Sequence, residues 1–240
     1  MSEIIEFSVV VIIIFLSTLV RSTFGFGNAL IAMPLLALVI GVKEATPLVA
    51  LAGLVISSIM LIREWRELVW KDTLVLLISS LAGLPLGLLL LTALPEPVVR
   101  TILGLILIGF GIYNLLGVKL PVLERPVLAV PFGFLAGILG GAYNANGPPI
   151  VIYGVMRGWK KEAFRASLQG FFFVSSVMIV AGHAFSGFWS RQTMTAFFAS
   201  LPAVSLAIFL GEIFAKKITQ EDFNRVIYSF LTLMGVLMFF

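Results

Sequence analysis

Two polar stretches interrupt an otherwise apolar chain, and they hold most of the residues that could do chemistry. The first is Arg21-Ser22-Thr23-Phe24-Gly25-Phe26-Gly27-Asn28. The second is Gly140-Gly141-Ala142-Tyr143-Asn144-Ala145-Asn146-Gly147-Pro148-Pro149. Glycines permit backbone conformations closed to other residues. Pro148-Pro149 withholds two backbone donors and turns the preceding residues away from helix. A helix broken at such a point exposes unpaired N–H groups and the positive end of its dipole. Two such ends meeting inside a protein form an anion site without requiring a charged side chain. Asn28, Asn144 and Asn146 would add amide donors, and Ser22 and Thr23 would add hydroxyls. The alternative role for all of these groups is to cap their own helix ends.

Arg21 is the basic residue set deepest in apolar surroundings. An intramembrane cation is expensive and usually faces an interior or an aqueous path. It therefore reads either as the counter-charge of an anionic substrate or as a side chain snorkelling to an interface. Gln169 lies inside a long apolar run, where it would line a path or bond a neighbouring helix. Glu212 stands near a run end, as a proton carrier or a partner for a lysine. His183, near another end, reads as interfacial. Ser57-Ser58 and Ser175-Ser176 read as close-packing or backbone-bonding positions. Gly83-Leu84-Pro85-Leu86-Gly87 reads as a kinked packing face. Trp65, Trp70, Trp159 and Trp189 sit near run ends, as interfacial anchors should.

The elements that must position these residues follow from composition. Of 240 residues, 60% are hydrophobic and 12% are charged. The charged share is about half that of a soluble domain. Mean hydropathy is +1.12. A soluble protein of this make-up would expose large apolar patches and aggregate, so the chain reads as an all-α polytopic membrane protein. It has no cysteine and one histidine, which excludes disulfides, iron–sulfur clusters and His-rich or thiolate metal sites. No cofactor, metal or nucleic-acid partner is expected. HExxH, G-x-S-x-G and nucleotide fingerprints are missing, so an enzyme is not expected. The start of the chain is acidic rather than basic, so the first segment is expected to stay in the mature protein.

The apolar runs are Ile4–Val20, Ala29–Val42, Thr46–Ile62, Thr73–Leu94, Thr101–Val118, Val127–Ala142, Pro149–Met156, Phe164–Ala184, Thr193–Gly211 and Asp222–Phe240. A span needs about 20 residues. Ala29–Val42, Val127–Ala142, Pro149–Met156 and Ile4–Val20 are the short ones, and they flank the two breaks in pairs. An ungapped shift laying residues 25–60 on 143–178 superposes the breaks. It also places Asn28 on Asn146, Lys43-Glu44-Ala45 on Lys161-Glu162-Ala163, Ser57-Ser58 on Ser175-Ser176 and Met60 on Met178. The expectation is two repeats, 1–120 and 121–240, each a broken or re-entrant helix pair plus three transmembrane helices.

Basic residues crowd the loops Arg63–Asp72, Val118–Pro126, Arg157–Arg165 and Glu212–Arg225. The other loops carry only Lys43, Arg100 and Arg191. With the crowded loops cytoplasmic, both termini lie outside and the repeats are inverted. Inverted repeats with broken helices meeting near the midplane are a plan of secondary transporters.

The motif Phe24-Gly25-Phe26-Gly27-Asn28 followed by Met33-Pro34-Leu35 resembles the first signature of the TauE/SafE family of sulfite-exporter-like permeases. Gly137-Ile138-Leu139-Gly140-Gly141-Ala142-Tyr143, then Pro148-Pro149-Ile150-Val151-Ile152-Tyr153, resembles the second. Asn28, Asn144 and Asn146 depart from it, standing where small residues are common. The resemblance implies transport of sulfur-containing anions such as sulfite, sulfoacetate or related organosulfonates, often outward; the expected location is a bacterial inner membrane.

The expected function is secondary transport of a small anion, with a proton or ion as a candidate coupling partner and one half rocking against the other. Alternatives are a passive anion channel of the same architecture and a membrane scaffold without substrate. The candidate substrate-binding residues are Arg21, Ser22, Thr23, Gly25, Gly27, Asn28, Gly141, Tyr143, Asn144, Asn146 and Gln169.

Overall fold

The computed structural model describes residues 3–117, 122, 123, 125–215, 229, 232, 233, 235, 236 and 239. Most of the expected run Asp222–Phe240, with Lys119, Lys216, Lys217 and Arg225 of the basic loops, lies outside the described residues. In chain order the helices are α1 (Glu3–Phe24), α2 (Asn28–Ile40), α3 (Val42–Glu64), α4 (Trp70–Ala93), α5 (Glu96–Leu115), α6 (Ala129–Tyr143), α7 (Gly147–Met156), α8 (Lys161–Phe185) and α9 (Arg191–Ala215). Among the described residues, six stretches are long and apolar enough to cross a membrane: Ile5–Phe24, Val42–Glu67, Trp70–Ala93, Pro126–Tyr143, Glu162–Phe185 and Arg191–Ala215. The chain is an all-α, multi-pass membrane protein. Leu74, Ile78 and Leu81 of α4 and Leu206 and Phe209 of α9 are among its outward-facing apolar side chains, which suit lipid.

The short elements are α2 with 13 residues and α7 with 10. At 1.5 Å per residue they reach about 20 and 15 Å, too short for a hydrocarbon core of about 30 Å. Each packs back on the helix before it, α2 on α1 and α7 on α6. The breaks are tighter than the polar stretches imply. α1 continues through Arg21, Ser22 and Thr23 because the Ser22 and Thr23 hydroxyls donate to the carbonyls of Thr18 and Leu19, both at 2.8 Å. Only residues 25–27 leave the helix, and Gly25 and Gly27 take φ of +88° and +103°, the left-handed region that a side chain disfavours. α6 likewise runs through Gly140–Tyr143, and Asn144 ends it at φ +54°.

Helix directions follow from which ends meet. Glu6 and Glu44 share one pocket with Ile40, Gln192 and Thr193. The starts of α1, α3 and α9 and the end of α2 therefore lie together at what we term the Glu44 end. At the Glu64 end, Arg165 donates to Glu64 at 2.8 Å and Arg157 donates to Asp72 at 2.8 Å. Thus α3 and α8 are antiparallel, α1 and α9 are parallel, and α4 and α6 are parallel.

The α4–α6 contact is backbone on backbone. A side chain at Gly83 would strike the Phe134 carbonyl, at Gly87 that of Ile138, and at Gly137 that of Ser80. Small residues in this register let transmembrane helices touch along their axes. The α1–α9 pair is similar, with Gly211 against Ser22 and the Leu19 carbonyl.

At the Glu64 end, Asp72 gathers the Arg157 guanidinium and, at 3.2 Å, the Trp159 indole N–H. The bond to Asp72 holds the Arg157 pKa above its ordinary value. Trp159 is thus not an anchor: it is half-buried, edge-on to Tyr153 and Phe164 at 5.6 and 6.4 Å. Trp65, Trp70 and Trp189 are exposed, as anchors require. Glu212 pairs with Arg63 rather than with a lysine. His183 is fully enclosed, its ring edge-on to Phe188 at 5.8 Å; an interfacial histidine would show a face to the surroundings.

Candidate functional site

Arg21 projects from the last turn of α1 into the centre of the protein and is 3% exposed. Its Nη1 donates to Asn28 Oδ1 at 3.2 Å and to the Gly53 carbonyl at 3.4 Å. Its Nη2 donates to Gln169 Oε1 at 3.1 Å. The Phe172 ring lies 4.8 Å from its Cζ, within cation–π range. All three acceptors are neutral, and no ion pair to Arg21 exists among the described residues. Snorkelling to the protein surface is excluded by this burial.

A small space opens beside the guanidinium. It is lined by both breaks (Gly27 and Asn28; Asn144 to Gly147), by Val49, Ala50 and Gly53 of α3, and by Phe172, Ser176 and Ile179 of α8. Its volume is about 30 Å³, room for about two waters. The first turn of α2 points here, so the N–H groups of Asn28, Ala29 and Leu30 are available to it. The first turn of α7 contributes less, because Pro148 and Pro149 have no N–H.

The asparagine side chains do not cap their helices; Asn144 closes α6 through its backbone alone, its N–H donating to the Gly140 carbonyl at 2.9 Å. Neither Gly27 nor Asn146, the residues at the two cap positions, makes a side-chain cap bond. Asn28 accepts from Arg21. Asn146 donates to Ser175 Oγ at 2.9 Å, and Asn144 donates to the Thr46 carbonyl at 2.6 Å. Asn144 therefore ties the second break to the first turns of α3.

Of the residues expected from sequence, Arg21, Gly27, Asn28, Asn144 and Asn146 meet at this space. Gln169 adjoins it through Arg21, and its Nε2 donates to the Gly25 carbonyl at 2.6 Å. Ser22 and Thr23 do not face it, since their hydroxyls are spent on α1 itself. Gly141 packs on α4 against Leu84 and Leu88. Tyr143 is buried, and its hydroxyl has no hydrogen-bond partner among the described residues. Gly53, Phe172 and Ser176 also line the space. Ser176 was visible as part of a repeated serine doublet; Gly53 and Phe172 carried no sequence signal, because they sit in an ordinary apolar run.

Two wider pockets, which we term mouths, lie toward the two ends of the bundle. At the Glu64 end a pocket of about 780 Å³ is lined by Arg63, Glu64, Glu67, Glu162, Arg165 and Glu212. At the Glu44 end a pocket of about 460 Å³ includes Glu6 and Glu44. Glu44 there accepts from Ser190 and Thr193 at 2.8 and 2.6 Å. Arg165 joins the first mouth to the first break through a 3.4 Å bond to the Thr23 carbonyl.

Broken half-helices around a buried, unpaired cation, inside a bundle of lipid-facing spans, define a multi-pass membrane protein with a central polar site. The chain belongs to the sulfite exporter TauE/SafE family, whose model matches residues 10–238. It is 25% identical over 228 residues to the probable sulfite/organosulfonate exporter TauE of Cupriavidus necator, covering 91% of this chain and 88% of that protein. No solved structure matches it.

Proposed function

We propose that the protein exports a small anion, sulfite or an organosulfonate, as a secondary transporter of the bacterial inner membrane. The observation that carries this reading is Arg21. A buried guanidinium without a carboxylate is a strongly unfavourable arrangement, and an anion in the adjoining space would relieve it. The α2 N-terminus, Asn28 and Ser176 supply further donors to the same point. The family's name and that of the Cupriavidus relative agree with an anion of sulfur.

The site lies between two inverted repeats, residues 1–120 and 121–240. Under the sequence shift, α1, α2, α3 and α4 correspond to α6, α7, α8 and α9. Their opposite directions and the matching pairs α1–α9 and α4–α6 support that relation. The basic loops then put the Glu64 end in the cytoplasm and both termini outside. The central space has room for only about two waters, so substrate is admitted when helices separate, from one mouth at a time. Because α1 is sealed to α9 and α4 to α6, the moving bodies are these cross-repeat pairs around α3 and α8, not the sequence halves.

Purified protein in liposomes loaded with sulfite tests the reading. Saturable efflux accelerated by external sulfite identifies a carrier; non-saturating flux without counterflow identifies a channel. Arg21→Gln should weaken sulfite binding about ten- to a hundredfold, the worth of a charge-assisted hydrogen bond of about 1.5–3 kcal/mol. Binding that is indifferent to Arg21 would sink the proposal.

A further inference from the structure

We infer that Gly53 sets the size limit of the anion site; the inference rests on the exporter reading above. Gly53 lies midway along α3, and its carbonyl accepts from both Arg21 Nη1 and Ser57 Oγ. The position of its missing side chain is the point on which three donors converge. A Cβ built there would stand 3.6 Å from Arg21 Nη1, 3.7 Å from Ser176 Oγ and 3.8 Å from Asn28 Nδ2. The three belong to α1, α8 and α2, so the point is surrounded.

Two of these donors are unspent. Arg21 occupies Asn28 Oδ1, which leaves the amide nitrogen as the donor end facing the space. Neither that nitrogen nor the Ser176 hydroxyl has a hydrogen-bond partner among the described residues. Asn28 and Ser176 are each only 8% exposed. Both residues line the central space, so an acceptor there can reach these donors. An anion oxygen at the Gly53 surface supplies one.

The glycine is not demanded by backbone geometry. Gly53 is helical and free of positive φ, and alanine is the better helix former. The contacts its Cβ would make are ordinary van der Waals distances to side-chain atoms. At Gly83, Gly87 and Gly137, by contrast, a Cβ meets fixed backbone of a neighbouring helix. A methyl at Gly53 therefore fits the fold and fills the anion's place.

The test measures sulfite and methanesulfonate binding by calorimetry on the full-length protein in detergent, with Tm recorded in parallel. Gly53→Ala should keep or raise Tm and weaken binding of both anions about tenfold or more, as loss of one charge-assisted bond would. Ser176→Ala, which adds no bulk, should weaken binding about as much. Gly109→Ala, at an open position on α5, should change neither quantity. A folded Gly53→Ala variant that binds both anions as the unaltered protein does overturns the inference. Should Gly53→Ala fail to fold, unchanged affinity in Ser176→Ala overturns it instead. If Arg21→Gln abolishes binding while Gly53→Ala does not, the size limit fails and the exporter reading stands. If Arg21→Gln binds normally, or neither anion binds the unaltered protein, both fail.

Discussion

Gln169 is joined to Arg21 at one end of its amide and to the first break at the other. Its Oε1 accepts from Arg21 Nη2 at 3.1 Å and its Nε2 donates to the Gly25 carbonyl at 2.6 Å. One side chain on α8 thus orients the central cation and fixes the turn between α1 and α2. Gln169→Leu leaves two buried polar groups unpaired, at about 1–3 kcal/mol each. Its Tm in detergent should fall by several degrees, and sulfite binding should weaken with it. A variant as stable as the parent would show that the turn holds itself.

The two break asparagines should not behave alike. Asn28 touches Arg21 and turns a free donor into the central space, whereas Asn146 spends its donor on Ser175. Asn28→Leu should lower sulfite affinity about ten- to a hundredfold. Asn146→Leu should act mainly on stability, by about 1–2 kcal/mol for the lost buried bond. Calorimetry and thermal unfolding on the two variants separate these effects, and equal affinity losses would contradict the assignment.

The α4–α6 seam predicts a large stability effect far from the site. Gly137→Val drives a branched side chain into the Ser80 backbone, and overpacking of this kind costs about 3 kcal/mol or more. The variant should aggregate on size-exclusion chromatography or unfold at a much lower temperature. A monodisperse variant of near-parental Tm would mean that the seam opens without penalty.

Orientation is testable because the chain has no cysteine. Ser186, after α8, and Lys160, before it, are both exposed. A cysteine at Ser186 should react with an impermeant thiol reagent added to intact cells stripped of the outer membrane. One at Lys160 should react only after the inner membrane is opened. The reverse pattern would invert the proposed topology.

The membrane character and the two breaks were legible because hydropathy and Gly/Pro punctuation are local properties. The break boundaries were not. The polarity of Ser22 and Thr23 resembles a loop, but in a helix without water their hydroxyls turn back to carbonyls one turn away. For the same reason both leave the set of site-facing residues. Trp159 and His183 looked interfacial because they stand near run ends, whereas depth along a helix says nothing of which side is covered by neighbours. Arg21 had two readings that composition could not separate. Its acceptors, Asn28, Gly53 and Gln169, come from three helices, and only the fold brings them together.

The glycine seam also dictates an order of assembly. α4 is complete at Ala93, but the surface it needs begins at Gly133 on α6. At about 5–20 residues per second, translation of the intervening chain takes on the order of seconds. Throughout that interval the nascent α4 keeps its seam face uncovered in the bilayer or against the insertion machinery. α6 follows α4 and α9 follows α1 in the chain, so both seams close only after the ribosome has delivered the later helices.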